Sequence, residues 1–235
     1  MGTKTKIYFA SDFHLGAPNH QKSHEREKKI CKWLDLISKD AKEIYLLGDL
    51  FDFWFEYQKV IPKGFERLKG KLACLSDSGI KIHFFIGNHD LWTFGYLESE
   101  LGLKIHKTPQ LIEINTKKFY IAHGDGLGKG NIIYKLTKLI YQNHFCQFLF
   151  QITPSFIGVS LAQFLSRRKW GKKHNLVNQK LGENTLIEYS KKILKHQHID
   201  FFVFGHIHKP CNIELSRNSR YINLGDWVTH FSYAE

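Results

Sequence analysis

Acidic residues are missing from one long stretch of this chain. Between Asp125 and Glu183 there is no Asp or Glu, while the same stretch carries Lys129, Lys135, Lys138, Arg167, Arg168, Lys169, Lys172, Lys173 and Lys180. These nine cations make up most of the formal net charge of +12, so the rest of the chain is nearly balanced. A focused cationic segment points to an anionic partner: nucleic acid, a membrane surface or a phosphorylated substrate. Cysteine is scarce as well. Cys31, Cys74, Cys146 and Cys211 are far apart and form no CxxC pair, which argues against a disulfide framework and for a reducing compartment. No uninterrupted apolar run reaches the roughly 18–20 residues of a membrane span. The N-terminal residues lead straight into a strand pattern with no signal-peptide core, so the expected location is the cytoplasm. There is no internal repeat, low-complexity tract or linker, so a single domain over 1–235 is expected.

Apolar patterning is plentiful, and it is organised around Gly48-Asp49-Leu50-Phe51-Asp52. The run Glu43 to Leu47 before it reads as a buried strand, and ligands of open α/β sheets gather at such strand ends. Residues 6–10 form an earlier strand that delivers Asp12 and His14. Ile30, Trp33, Leu34 and Ile37 predict a helix over 23–38 capped by Ser23. Phe65, Leu68, Leu72 and Leu75 predict another over 63–76, followed by a strand over 81–86 that ends in Gly87-Asn88-His89-Asp90. This strand–helix–strand alternation implies parallel pairing. A short helix is expected near 94–101. Strand-like segments follow near 103–107, 110–115 and 118–122, the last two as a hairpin, which makes this part of the sheet antiparallel. His123-Gly124-Asp125 comes next. A helix over 174–196, a strand over 200–204 ending in Gly205-His206-Ile207-His208, and short strands near 211–216 and 220–224 before Gly225-Asp226-Trp227 complete the chain.

The acid-free stretch itself carries helical stripes: Ile132, Ile133, Leu136, Leu139 and Ile140; then Phe145, Phe148, Leu149 and Ile152; then Val159, Leu161, Phe164 and Leu165. Two readings stay open on this pattern, a helical subdomain packed on itself and a lid with an apolar groove and a cationic rim.

Five strand ends thus present Asp12/His14, Asp49, Asn88/His89, His123 and His206/His208. Carboxylates, imidazoles and one amide oxygen suit divalent ions such as manganese, iron or zinc, and the lack of thiolate ligands argues against a structural zinc site. The donors outnumber the needs of one ion, which implies a pair joined by a bridging carboxylate, an arrangement that clamps phosphoryl groups and activates water.

In this order the motifs Asp-x-His, Gly-Asp-x-x-Asp, Gly-Asn-His-Asp, His-Gly-Asp and Gly-His-x-His resemble the calcineurin-like metallophosphoesterase superfamily over about 5–125 and 196–226. The resemblance implies an α/β fold, a four-layer αββα sandwich of two mixed sheets, with a helical cap inserted at about 127–175. It implies that Asp12, His14, Asp49 and His208 hold one metal, and that Asp49, Asn88, His123 and His206 hold the other. It makes Asn88, His89 and Asp90 the catalytic residues, with His89 over the phosphate and oriented by Asp90.

The Gly-Asp-Leu-Phe-Asp-x-Trp motif, the basic helical insertion after His-Gly-Asp and the late Gly-Asp-Trp narrow the resemblance to the UDP-2,3-diacylglucosamine diphosphatases of lipid A synthesis. That family cleaves the pyrophosphate of a UDP-linked diacylated glucosamine to UMP and 2,3-diacylglucosamine 1-phosphate. The resemblance implies two divalent ions, with Mn2+ expected and Fe2+, Zn2+ or Mg2+ as alternatives, and attack on the α-phosphate by a metal-activated water. An anionic inner-leaflet surface is the expected partner, with the protein peripheral to it; nucleic acid is not expected. Phe145, Phe148, Leu149, Phe156, Leu161 and Phe164 are candidates for the groove. Asn88 and His89 are candidates for the substrate phosphates, and Arg168, Lys172 and Lys173 for the phosphates or the membrane. The chain departs from the family at one position, because many members carry Arg where this one has His89. A phosphodiesterase acting on nucleotides or nucleic acid is the alternative enzyme, and a metal-free scaffold the alternative that is no enzyme.

Overall fold

The strands divide their side chains between two neighbours. In the computed structural model, β1 (Lys6–Ala10), β2 (Ala41–Leu47), β3 (Lys81–Phe85) and β4 (Lys104–His106) form one sheet in that order, parallel throughout. Tyr8, Ala10, Ile44, Leu46, Ile82 and Phe84 meet Ile30, Trp33, Leu34 and Ile37 of α1 (His20–Ile37) and Leu68, Leu72 and Leu75 of α2 (Glu66–Asp77). The alternate residues Phe9, Tyr45, Leu47 and Phe85 point the other way and pack on Ile121, Val203 and Leu224 of the second sheet region. Period-two alternation therefore makes each strand serve two cores. The structure describes residues 4–129, 132–173 and 176–235, without the side chains of residues 133, 163, 165 and 167–173.

A four-residue helix, α3 (Tyr96–Ser99), precedes β4. The second sheet contains β5 (Gln110–Ile114), β6 (Lys117–Ile121), β7 (Phe201–Phe204), β8 (Cys211–Ser216) and β9 (Ser219–Asn223) in the spatial order β5-β6-β7-β9-β8. Its two outer pairs are antiparallel, and its inner pairs β6/β7 and β7/β9 are parallel. The β5–β6 hairpin turns at Asn115 and Thr116, whose φ values of 48° and 65° suit a two-residue hairpin turn. On the far face, Phe202, Phe204 and Tyr221 pack on Leu186, which lies on the last helix before β7. The layers run helix, sheet, sheet, helix.

Three elements differ from the sequence-based expectation. The first sheet is not mixed, because β4, grouped by sequence with the hairpin strands, extends the parallel sheet instead. The short helix expected near 94–101 keeps a single turn. α1 begins earlier than Ser23: Asn19 caps it, its side chain accepting from the Lys22 amide at 3.0 Å, while Ser23 is buried and its hydroxyl accepts from the Gly16 amide at 2.7 Å.

Helices α4 (Ile132–Gln142), α5 (His144–Ile152) and α6 (Ser155–Lys173) follow the second-sheet hairpin, and α7 (Leu176–Leu194) returns to the sandwich. α5 and the first part of α6 meet at a bend of 120°. Among the described residues the stripes are mostly exposed: Ile132 is 73% exposed, Phe145 67% and Phe156 73%, and Leu136, Leu139, Phe148, Leu161 and Phe164 are exposed too, while the side chains of Ile133 and Leu165 lie outside the described residues. Inward contacts include Phe150, whose ring lies 4.7 Å from both Phe55 and Trp92, and Trp92, whose indole N–H donates to the Tyr141 carbonyl at 2.7 Å.

Candidate metal centre

Every predicted donor sits just past the C-terminal end of a strand, where parallel sheets aim their loops at ligands. Asp12 and His14 follow β1, Asp49 follows β2, Asn88 and His89 follow β3, His123 follows β6, and His206 and His208 follow β7. The turns are sharp. Asp12, His14, Asp49, His206 and His208 all have positive φ, between 44° and 69°. Non-glycine residues in this region cost of order 1–3 kcal/mol each and persist only where their surroundings hold them. Arg26 supplies part of that hold, its buried guanidinium donating to the carbonyls of His14 at 2.6 Å and Ala17 at 2.5 Å. Burial is the largest influence on Arg26 and lowers its pKa to about 10, against the charges of Asp226 and Asp52. Gly48 and Gly87 make the close approach possible: a Cβ on Gly48 would sit 2.5 Å from His123 Nδ1, and one on Gly87 would collide with Asp49.

The donors fall into two groups that share a carboxylate. Asp12, His14, Asp49 and His208 offer one ligand atom each within 4.8 Å of one another, and so do Asp49, His123 and His206. Asp49 Oδ2 lies 3.5 Å from His14 Nε2, 3.4 Å from His123 Nε2 and 4.0 Å from His89 Nε2. Asp12 Oδ1 lies 3.5 Å from His14 Nε2 and 3.4 Å from His208 Nε2, and the last two are 3.2 Å apart. Two donors each about 2.1 Å from one cation lie roughly 3.0–3.4 Å apart at octahedral to tetrahedral angles, so the spacing fits a shared ion. Asn88 Oδ1 is buried and accepts no hydrogen bond among the described residues, as suits an oxygen kept for a cation. A further overlapping group joins His14, Asp52 and His89.

Outer contacts fix which ring nitrogen faces the centre. His123 Nδ1 lies 2.6 Å from the Leu47 carbonyl, His89 Nδ1 lies 2.6 Å from the Asp52 carbonyl, and His208 Nδ1 lies 3.2 Å from Asp226 Oδ2. Carbonyls and carboxylates only accept, so Nδ1–H donates in each case and leaves the Nε2 lone pair for the centre. Asp226 also accepts from the amides of Thr229 at 2.8 Å and His230 at 3.0 Å. The Gly-Asp-Trp motif assigns Asp226 no role by itself; its place just after a strand, like that of the other donors, is the signal the sequence offers. Asp12 Oδ2 accepts from the His206 amide and Asp49 Oδ1 from the His89 amide, each at 2.9 Å, which leaves the other oxygen of each turned to the cluster.

Asp90 works differently from the sequence expectation. Both its oxygens are engaged by backbone, accepting from Gly87 at 2.6 Å and Leu50 at 2.9 Å, and His89 is held by the Asp52 carbonyl instead. Asp90 therefore ties two site loops together. Burial first, and the Asp49 charge second, push its pKa up to about 7. Burial opposes charge on His123, yet Asp49, Asp12 and Asp125 overcome it and raise its pKa to about 10. A site that negative calls for cations. The side chains of Arg168, Lys172 and Lys173 lie outside the described residues. Close by in sequence, the Ser166 hydroxyl donates to Asp52 Oδ1 at 2.9 Å, so α6 touches a site loop.

The sequence profile of the calcineurin-like phosphoesterases matches residues 5–210. The chain belongs to this family. A relative from Porphyromonas gingivalis, named UDP-2,3-diacylglucosamine hydrolase, is 36% identical over 98% of this chain and 94% of its own length. A protein of the same name from Actinobacillus succinogenes is 25% identical over 94% of this chain and 92% of its own. Among solved structures, a protein of unknown function from Aquifex aeolicus covers 97% of this chain and 93% of its own, with a TM-score of 0.47 and 15% identity. As a member of the family, the protein is a phosphoesterase with a buried Asp/His cluster compatible with divalent metal ions.

Proposed function

We propose that the protein hydrolyses UDP-2,3-diacylglucosamine to UMP and 2,3-diacylglucosamine 1-phosphate. The observation that carries this reading is the junction of two features: an Asp49-centred double donor cluster and, docked against its loops, a helical segment that exposes an apolar surface. The first suits a pyrophosphate and the second an acylated sugar. The names of relatives matched over nearly the whole chain support the same substrate. Intact donors at every position speak against a metal-free scaffold.

In this reading Asp12, His14, Asp49 and His208 hold one cation, and Asp49, Asn88, His123 and His206 hold the second. When bound, the pair supplies charge for the phosphoryl oxygens and an acidified water. Manganese suits this oxygen and imidazole donor set. The chain's own work is positional and protonic. Asp49 brings the two halves onto one carboxylate oxygen. His89 keeps its Nδ1 proton on the Asp52 carbonyl, so it donates from Nε2 to the departing oxygen only as the imidazolium. Arg168, Lys172 and Lys173 serve the substrate phosphates.

The exposed stripes of α4–α6 and the cationic stretch around them also suit an anionic membrane surface, with the protein peripheral to the inner leaflet on its cytoplasmic side. Among the described residues no single helix is long and apolar enough to cross a membrane; α5 and the start of α6 together have that composition but are sharply bent.

UMP release from UDP-2,3-diacylglucosamine, with Mn2+ and a mild detergent, tests the reading. Release that requires both acyl chains is the expected result. No release, alongside clear cleavage of an aryl phosphodiester, would move the substrate elsewhere and make His89 the first residue to question.

A further inference from the structure

Asp125, two residues after His123, takes no place in the donor groups, yet its side chain is only 5% exposed. Its Oδ2 accepts from the Tyr134 hydroxyl at 2.8 Å and the Lys138 ammonium at 2.5 Å. Tyr134 and Lys138 are four apart on α4, so they share one face of that helix. The Tyr134 ring lies 6.5 Å from the His206 ring, and Lys135 adds a contact of 2.7 Å to the Gly128 carbonyl. Leu136, Leu139 and Ile140 of the same helix are exposed. α4 thus has a docked polar side against the His123–His206 half of the centre and an open apolar surface. Its far end is pinned by the bond from Trp92 to the Tyr141 carbonyl.

We propose that Tyr134 and Lys138 are positioning residues for the reaction: through Asp125 they fix α4 to the metal centre and set the distance between its apolar surface and the reacting phosphates. The inference rests on the acylated substrate proposed above. Gly126 lies beside this contact on a backbone with φ of 72°, a conformation that favours glycine; a Cβ there would meet Tyr134 at 3.6 Å and Lys138 at 3.8 Å, ordinary contact distances. Neither side chain need touch substrate. Their effect passes through the placement of the helix, so it falls on binding of the acylated part rather than on the chemical step.

The test compares Tyr134→Phe/Lys138→Gln and Lys138→Arg with the unaltered protein, all loaded with Mn2+. Steady-state kinetics on UDP-2,3-diacylglucosamine and on bis(p-nitrophenyl) phosphate are read beside amide hydrogen exchange over 132–142. The double variant is expected to raise KM for the acylated substrate about tenfold with kcat within about twofold. It should leave the acyl-free diester within about twofold and speed exchange of α4 about tenfold, with Lys138→Arg close to the unaltered protein. Equal losses on both substrates would overturn the proposal, because Asp125 would then be supporting the centre and not the helix. Unchanged KM with unchanged exchange would overturn it as well. Should the unaltered protein fail to cleave the acylated nucleotide, the substrate reading falls by itself. The exchange measurement then still decides whether the latch exists: faster exchange supports it, and unchanged exchange removes it.

Discussion

The metal centre and the α4–α6 segment depart from the usual distribution of residues in opposite directions. At the centre, Asp12, His14, Asp49, His123 and His208 are almost completely buried, although charged and polar groups ordinarily face water. In the helical segment, Ile132, Leu139, Phe145, Phe148 and Phe156 face outward, although such residues ordinarily fill cores. Each inversion is costly for the chain alone. Burial, and after it the Asp49 charge, raises the pKa of Asp90, and the surrounding carboxylates raise that of His123 against its own burial. An exposed large apolar side chain forgoes roughly 1.5–3 kcal/mol that burial would give. The two regions therefore each await a complement, cationic in one and apolar in the other. Their anchorage differs to match. The first is held by strained backbone, carbonyl acceptors and two sheets, the second by an aromatic contact at Phe150 and a few polar bonds.

The comparison breaks most visibly at the shared carboxylate. Asp49→Ala should lower turnover of every phosphoester by on the order of 10³-fold or more, with bound metal reduced and near-UV circular dichroism retained. Retained metal-dependent turnover would remove Asp49 from its bridging role. In the helical segment the effect should be smaller and of another kind. Phe148→Ser/Phe156→Ser should raise KM for the acylated substrate and weaken sedimentation with anionic vesicles, each about tenfold, while stability shifts by no more than about 1 kcal/mol because both rings are more than half exposed. A fall in stability of several kcal/mol would show that these rings are packed in solution.

The smallest effect belongs to neither region and serves as a control on the sandwich. His83 and His106 meet at 3.0 Å beside Glu43, Tyr45, Lys81 and Lys104, away from the centre. Burial first, then the neighbouring His83 and Lys104, lowers His106 to about 4, and burial also lowers His83. His106 is therefore neutral when folded near pH 6, and His83 is shifted in the same direction, while the unfolded chain takes up protons below about 6.5. Stability should thus be full above that value and decline as pH falls toward 4. His106→Gln should reduce the drop in melting temperature between pH 7 and 5 by a few degrees. An unaltered slope would assign the acid sensitivity elsewhere.

Much of the centre was legible because its donors are local in sequence: each follows an apolar strand by two to four residues, and parallel strands bring such ends together. The hairpin at Asn115–Thr116 and the helices around Ile30 and Leu72 were legible for the same reason. What was not legible depends on contacts between distant segments. The Asp52 carbonyl that holds His89 and the Asp226 carboxylate that holds His208 are separated from their partners by 37 and 18 residues. Asp90 reads as a neighbour of His89 but bonds the other way, to Gly87 and Leu50. The start of α1 was missed because Ser23 and Asn19 both suit a cap, and only the Gly16 contact shows that Ser23 is otherwise engaged. The stripes of α4–α6 carried an apolar pattern that fits a self-packed bundle and an open surface equally well. Periodicity reports which residues share a face and not what covers it.

The donor set also has a mechanical consequence. Asp12, His14, Asp49 and Asn88 hang from the first sheet, and His123, His206 and His208 from the second, so the cluster straddles the seam between the two halves of the sandwich. An ion held there would be gripped from both sides and would work as a rivet. Whatever free energy it gains on entering the folded protein and not the unfolded chain is added to the cohesion of the layers. Catalytic competence and mechanical integrity would then rise and fall together, and a cell starved of the ion would hold a looser protein as well as an idle one.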